Sequence, residues 1–135
     1  MTDSDFHRAH QEILSRVGEA KPTPDLYPMQ VAVELLGDPH LAFPVIHITG
    51  TNGKTSTARI IERILREHGL RTGRYTSPHL VDVNERIAID GEPLESELFA
   101  EYWDQISPIL EIADSKLEEI SKPKITYFEA MTLLA

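Results

Sequence analysis

Hydrophobic residues recur at helical spacing in several separate stretches of the chain. In the first stretch four apolar residues share this spacing: Phe6, Ile13, Leu14 and Val17. A shorter helix is predicted from Met29 to Leu36, because Gly37 and Pro39 follow it and residues of these types end helices. Between the two, residues 21–28 hold three prolines and predict a loop, since proline cannot continue a helix.

The β-branched residues Val45, Ile46 and Ile48 predict a buried strand over residues 45–49. The helix expected after this strand has an apolar stripe made of Ala58, Ile61, Ile64 and Leu65. Its charged residues are predicted to face away from that stripe: Arg59, Glu62, Arg63 and Arg66. Residues 70–76 then have the length and place of a second parallel strand, as in right-handed strand–helix–strand units.

The second half of the chain predicts a hairpin and two more helices. Asp90-Gly91 interrupts the alternating residues 85–94, and this pair is a strong signal for a tight hairpin turn. The apolar residues from Leu98 onward predict a helix that is broken or kinked at Pro108 and continued by Ile109, Leu110 and Ala113. A charged, exposed connection is expected over residues 115–124, and another helix begins within residues 125–135.

These elements predict an α/β fold, the start of a parallel sheet of the phosphate-loop type flanked by helices. We expect residues 1–28 to form an N-terminal helix and a proline-rich loop. Residues 29–135 would then form the beginning of a nucleotide-binding domain.

Composition narrows the class of protein further. The 135 residues include 22 acidic and 13 basic ones, a net charge of −9, which argues against a nucleic-acid partner. With no cysteine in the chain, a disulfide framework or a thiolate metal site is impossible. The acidic N-terminus lacks the apolar run of a signal peptide, and no stretch approaches about 18 apolar residues. We therefore expect a soluble cytoplasmic protein without a membrane partner.

The turn between the predicted strand and helix carries the candidate chemistry. Gly50 and Gly53 allow backbone angles closed to other residues, so that backbone N–H groups can approach a ligand closely. These groups, the positive end of the following helix dipole and the Lys54 ammonium would converge on an anion of phosphate size. The general G-x-x-x-x-G-K-[ST] pattern places its first glycine where Ile48 stands, so a plain turn with a surface lysine is the alternative.

The segment Thr49-Gly50-Thr51-Asn52-Gly53-Lys54-Thr55 resembles the nucleotide loop of the Mur ligase superfamily. Residues 75–80 (Tyr-Thr-Ser-Pro-His-Leu) followed by 85–87 (Glu-Arg-Ile) are similar to the folylpolyglutamate synthase/dihydrofolate synthase family in particular. The resemblance runs from about Thr23 to the end and includes residues 126–129. One departure is Thr55, where many members carry glycine, although threonine is closer to the general phosphate-loop pattern.

This resemblance implies an ATP-dependent ligase that uses Mg²⁺ and joins L-glutamate to dihydropteroate, to folate or to both, through an acyl phosphate. Lys54 would be catalytic. The ATP-binding residues implied are Gly50, Thr51, Asn52, Gly53, Lys54, Thr55 and Ser56. The implied partners are these small molecules alone, and the full-length enzyme is expected to be a monomer.

Further site residues also follow from the resemblance. Ser77 matches a metal ligand of the family, although a serine beside Pro78 is ordinarily a turn residue. Asp25 and Leu26 would lie beside the pterin, with a simple linker as the alternative. Thr126, Tyr127 and Phe128 would help to bind the pterin, and Phe128 could equally be a core residue. Glu85-Arg86 could brace the preceding loop, or form an exposed ion pair.

The last predicted helix is apolar and has no closing signal, so we expect the chain to be part of a longer enzyme and to have no ligase activity alone. The further metal ligands, a modified lysine and the adenine and glutamate sites of the family have no counterpart in these residues. Another Mur-type peptide ligase, or a nucleotide-binding module without ligase activity, remains open as an alternative.

Overall fold

The computed structural model describes residues 3–16 and 25–135, and these form five α-helices, three short strands and two 3₁₀ turns. The helices are α1 (Asp3–Leu14), α2 (Tyr27–Leu35), α3 (Lys54–Glu67), α4 (Ser96–Glu119) and α5 (Tyr127–Leu134). The strands are β1 (Gly73–Tyr75), β2 (Ile87–Ile89) and β3 (Glu92–Pro93), and the 3₁₀ turns are Pro39–Leu41 and Val83–Arg86. The predicted helix position Val17 and residues 21–24 of the predicted loop lie outside the described residues, while Tyr27 and Pro28 of that loop instead begin α2.

The chain divides into two compact units. One contains the described residues of Met1–Phe43 together with Glu97–Ala135, and the other is Pro44–Ser96. The α/β class predicted from the sequence is confirmed, with the helical elements mainly in the first unit and the small sheet in the second. The proposed division at residue 28 stays a prediction.

In the helical unit, α5 packs against both α1 and α2. Its core is apolar and fully buried at Ile13, Phe99, Leu110, Leu117 and Met131. Phe6 of α1 meets Phe99 of α4 edge to face, with ring centroids 5.2 Å apart. Of the residues that predicted the apolar face of α1, Phe6 and Ile13 are therefore buried, whereas Leu14 is 47% exposed.

Helix α4 confirms the predicted continuation beyond Pro108 and corrects two details. It runs through Pro108 to Glu119 without a break, and its last turns include residues 115–119 of the expected connection, so that only residues 120–124 remain outside a helix. Proline in a helix costs about 3 kcal/mol because one N–H donor is lost and the ring is crowded. Burying Leu110 and Leu117 beyond it contributes about 1.5–3 kcal/mol each. That gain is comparable to the cost of the proline or larger.

The sheet unit contains the predicted hairpin. Strands β2 and β3 pair antiparallel with Ile89 opposite Glu92, and the turn between them is Asp90-Gly91. Both turn residues have positive φ, 49° for Asp90 and 85° for Gly91, as a two-residue type I′ turn requires. The hairpin is therefore confirmed.

Strand β1 lies where a strand was expected, but it pairs antiparallel with β2 in the register Gly73–Ile89. Residues 45–49 form no strand in the described structure, so the buried strand predicted there is absent. A strand of a parallel sheet needs neighbours and covering helices on both faces. Val45 and Ile46 are instead 66% and 60% exposed. Parallel pairing in this fold stays a prediction.

Helix α3 corrects the orientation predicted from its apolar stripe. Glu62, expected to face away, is the one residue of α3 that is buried, while Ile64 of the stripe is exposed. Arg74 Nε of β1 donates to the Glu62 carboxylate at 3.3 Å, and both side chains are 9% exposed. The ion pair with Arg74, which follows twelve residues later in the sequence, therefore stabilises Glu62 in a buried position on α3.

Candidate nucleotide and substrate site

The predicted phosphate loop leads directly into α3. Gly50 has φ 143° and Gly53 has φ 72°, both in the region that favours glycine. Gly53 is the N-cap of α3, no side chain caps this terminus, and the first turn holds no acidic residue. The N–H of Thr57 bonds to the Gly53 carbonyl at 2.9 Å, so the helical ladder begins there. The N–H groups of residues 54–56 therefore open a helix whose positive end has no internal anion.

The side chains at this terminus are accessible. Thr51, Asn52, Lys54, Thr55 and Ser56 are all exposed. Within the described part of the chain, the Lys54 ammonium forms no ion pair. A Cβ atom added to Gly50 or Gly53 would meet nothing within 4 Å, so backbone angle rather than crowding selects glycine here. Such a terminus, with a free ammonium beside it, fits the phosphates of a nucleotide.

A magnesium ion would also fit this chemistry. Magnesium keeps several waters and takes only one or two protein ligands besides the phosphates of the nucleotide. The hydroxyls of Thr55 and Ser77 are exposed and could serve as such ligands. Residues 3–16 and 25–135 contain no cluster of three or more histidine, aspartate or glutamate side chains that could hold a metal alone.

Ser77 begins a loop that follows β1, and the Ser77–Pro78 peptide bond is cis. We call residues 77–82 the serine loop. The N–H of Thr76, just before it, donates to the carbonyl of Arg86 at 2.8 Å. Arg86 is buried, and its Nε donates to His79 Nδ1 at 2.9 Å. The start and middle of the serine loop are therefore held by Arg86.

Glu85 holds the end of the serine loop. One carboxylate oxygen accepts the N–H of Val81 at 3.0 Å and of Asp82 at 2.9 Å. The other accepts the N–H of Leu80 at 3.1 Å. These backbone bonds, from Asp82 first and then from Leu80, lower the pKa of the Glu85 carboxyl below its ordinary value. Of the two sequence interpretations, the brace is confirmed.

The candidate substrate residues lie in the helical unit, at the starts of α2 and α5. Asp25 accepts the N–H of Tyr27, the first residue of α2, at 2.9 Å, and Leu26 is exposed. Lys122 Nζ donates to the other Asp25 oxygen at 2.7 Å and lies 5.2 Å from the centroid of the Tyr27 ring. This contact brings the start of α2 close to the segment that precedes α5. The sequence analysis did not identify Lys122, because no motif around it indicates a contact with Asp25 or Tyr27.

Thr126 is the N-cap of α5 and is buried. Its hydroxyl accepts the N–H of Glu129 at 3.2 Å and donates to the Glu129 carboxylate at 2.8 Å, while that carboxylate accepts the Thr126 N–H at 3.1 Å. The Thr-x-x-Glu spacing of a capping box could have predicted this role. Phe128 in the first turn of α5 is 38% exposed, so it is not a fully buried core residue.

The fold and the loop at α3 thus define an α/β protein in which a glycine-rich turn at a helix N-terminus suits a phosphate group. No family model matches the chain. A dihydrofolate synthase/folylpolyglutamate synthase of Mycobacterium tuberculosis is 37% identical over 120 residues, which is 87% of this chain and 25% of the relative. A mitochondrial folylpolyglutamate synthase of Bos taurus is 48% identical over 91 residues, 67% of this chain and 15% of the relative.

Solved structures agree with the sequence relatives. The M. tuberculosis folylpolyglutamate synthase complexed with ADP superposes with a TM-score of 0.89 at 34% identity, covering 98% of this chain and 28% of that one. A folylpolyglutamate synthase complex with AMPPCP and folate gives 0.84 at 32% identity, covering 96% of this chain and 31% of that one. Over almost its whole length the chain is therefore similar to folylpolyglutamate synthases and dihydrofolate synthases, and it spans about a quarter of the length of the M. tuberculosis relative.

Proposed function

We propose that the chain supplies the nucleotide-binding loop, and part of the substrate site, of an ATP-dependent ligase. The ligase would add L-glutamate to dihydropteroate, to folate or to both. The observation that carries the proposal is the start of α3, where Gly50 and Gly53 adopt positive φ and no side chain caps the helix. The relatives named dihydrofolate or folylpolyglutamate synthase support the choice of reaction.

In this reaction a substrate carboxylate oxygen attacks the γ-phosphorus of ATP, and the bond to the ADP oxygen breaks. The amine of glutamate then attacks the carbonyl carbon of the acyl phosphate, and inorganic phosphate leaves with the formation of an amide. Catalysis of such transfers relies mainly on positioning and on charge stabilisation. Lys54 and the N–H groups of residues 50–56 would bind the β- and γ-phosphates and stabilise the charge that develops on them.

The other candidate residues would bind magnesium and the pterin. Magnesium, held by Ser77 and the phosphates, would supply further charge neutralisation. Asp25, Leu26, Tyr127 and Phe128 would contact the pterin, and exposed Leu26 and Phe128 offer apolar surface for an aromatic ring. Thr126 would act mainly through its cap, because Glu129 already engages its hydroxyl both as donor and as acceptor.

The proposal includes a monomeric enzyme in the cytoplasm with small-molecule partners only. No helix within the described residues has the length and apolar character needed to cross a bilayer. Mitochondrial relatives exist, so fractionation of cells that express the complete gene product is the measurement that assigns its compartment.

The nucleotide site is tested by calorimetry of ATP and of AMPPCP binding to the complete gene product. We expect Lys54→Ala to weaken binding by about tenfold or more, since one charge-assisted contact to phosphate is lost. Arg59→Ala is the matched control, because Arg59 is an exposed cation on the same helix. Equal affinity in wild type and Lys54→Ala would remove Lys54 from the site.

The reaction itself is tested by incorporation of labelled glutamate. We expect the complete gene product to label dihydropteroate, folate or both in the presence of ATP, and the 135-residue chain alone to label neither. Supplying the two acceptors separately determines the substrate preference. Absence of labelling with either acceptor, while nucleotide binds, would contradict the ligase proposal and favour a nucleotide-binding module.

A further inference from the structure

The serine loop has a fixed backbone although its side chains are not buried. Leu80 is 93% exposed and Val81 is 79% exposed, so apolar burial does not hold this segment. Ser77 and Pro78 are exposed as well. What holds the loop must therefore be polar contacts to its backbone.

These contacts come from two neighbouring residues. The Glu85 carboxylate accepts three consecutive backbone N–H groups, those of residues 80–82, at 2.9–3.1 Å. Arg86 holds Thr76 through its carbonyl and His79 through its guanidinium. Along the chain, Ser77 thus lies between Thr76 on one side and residues 79–82 on the other. Each of these residues forms a hydrogen bond with Glu85 or Arg86.

We propose that Glu85 is a positioning residue for Ser77: by fixing the backbone of the serine loop, it sets where the Ser77 hydroxyl meets the magnesium–nucleotide complex. This inference deepens the proposed function and rests on it. Convergent backbone amides make a cavity suited to an anion, and here the chain's own carboxylate occupies it. Because the Glu85 carboxylate accepts its hydrogen bonds from the backbone of residues 80–82, loss of its side chain changes the loop rather than the composition of the site.

The geometry also predicts how substitutions will rank. Both oxygens of the Glu85 carboxylate accept backbone N–H groups. Glu85→Gln keeps one acceptor oxygen and its two hydrogen bonds, but the side-chain NH₂ that replaces the other oxygen faces a backbone N–H and cannot accept from it. Glu85→Ala loses all three bonds. Glu92→Ala is the matched control, since Glu92 is an exposed glutamate of β3 in the same unit.

The first readout is hydrogen exchange in the complete gene product without nucleotide. We expect the amides of residues 80–82 to exchange about tenfold faster in Glu85→Ala than in wild type, less so in Glu85→Gln, and unchanged in Glu92→Ala. This measurement does not depend on nucleotide or on activity. Unchanged protection in Glu85→Ala would overturn the inference.

The second readout is AMPPCP affinity by calorimetry, with magnesium and with EDTA. We expect Glu85→Ala to reduce the gain in affinity that magnesium gives by about tenfold and to leave the affinity in EDTA at the wild-type value. A general loss of structure would lower both affinities equally and would overturn the inference. Wild type that binds no AMPPCP would refute the proposed function, and this inference with it. If wild type binds AMPPCP and magnesium raises the affinity of Glu85→Ala as much as it raises that of wild type, this inference alone is refuted.

Discussion

Leu117 offers a sharp test of the structure because sequence and structure assign it opposite environments. The charged stretch 115–124 predicted an exposed connection, whereas Leu117 lies in the last turns of α4 with no exposed surface. Replacing a buried leucine with alanine removes its transfer free energy and leaves a cavity, at a cost of about 2–5 kcal/mol. An exposed leucine would cost less than about 0.5 kcal/mol.

The experiment is urea denaturation of the 135-residue chain, followed by the fluorescence of Trp103, its single tryptophan. Trp103 is 2% exposed in the same helix, so its emission reports the packing of the helical unit. A loss of about 3 kcal/mol shifts the midpoint by about 1.5 M if the slope is about 2 kcal/mol per M.

Ile112→Ala is the matched control for Leu117→Ala, because Ile112 lies in α4 and is 51% exposed. It should shift the midpoint much less, since only half of its side chain leaves water on folding. Equal midpoints for the two variants would refute the burial of Leu117 and with it the course of α4 beyond Pro108.

Two other predictions concern the capping box of α5 and the serine loop. Thr126→Ala should destabilise the chain by about 1 kcal/mol through loss of the α5 cap, while Thr126→Ser should retain most of the stability, and the same denaturation assay measures both. Glu85 has a lowered pKa, so its hold on the serine loop is complete above the ordinary value of 4.5 and is lost as pH falls through the lowered value. Amide exchange of residues 80–82 by NMR, corrected for intrinsic rates, should therefore show constant protection from pH 7 to about 5 and loss only in stronger acid. Loss of protection near neutral pH would contradict this assignment.

The features that could be predicted from the sequence are those whose causes are local. The Asp90-Gly91 hairpin follows from two residues that tolerate positive φ, and the loop before α3 follows from Gly50 and Gly53 in the same way. The brace at Glu85 involves groups no more than five residues away along the chain.

The features that could not be predicted depend on distant residues. Glu62 turns inward because Arg74, twelve residues later, is buried beside it. The course of α4 beyond Ala113 depends on the burial of Leu117, which local propensity does not contain. The pairing of β1 with β2 rather than with a parallel neighbour likewise depends on segments that periodicity does not identify.

The two clusters of backbone amides in the sheet unit differ in one respect that bears on function. The amides of residues 80–82 are bound by Glu85, three residues after Asp82. At the start of α3 the corresponding residue, three after the N-cap Gly53, is Ser56, and the first turn holds no acid. An amide cluster that lacks an internal carboxylate is available for an external anion such as phosphate.

This difference predicts the effect of Ser56→Glu. A carboxylate in the first turn interacts favourably with the helix dipole and should stabilise α3 by about 0.3–1 kcal/mol. The same charge should repel the phosphates and weaken ATP binding by about tenfold or more, as measured by calorimetry on the complete gene product. Ser56→Gln is the control, because it removes the hydroxyl and adds similar bulk without the charge. If Ser56→Glu and Ser56→Gln bind ATP equally well, the nucleotide phosphates do not lie at the start of α3.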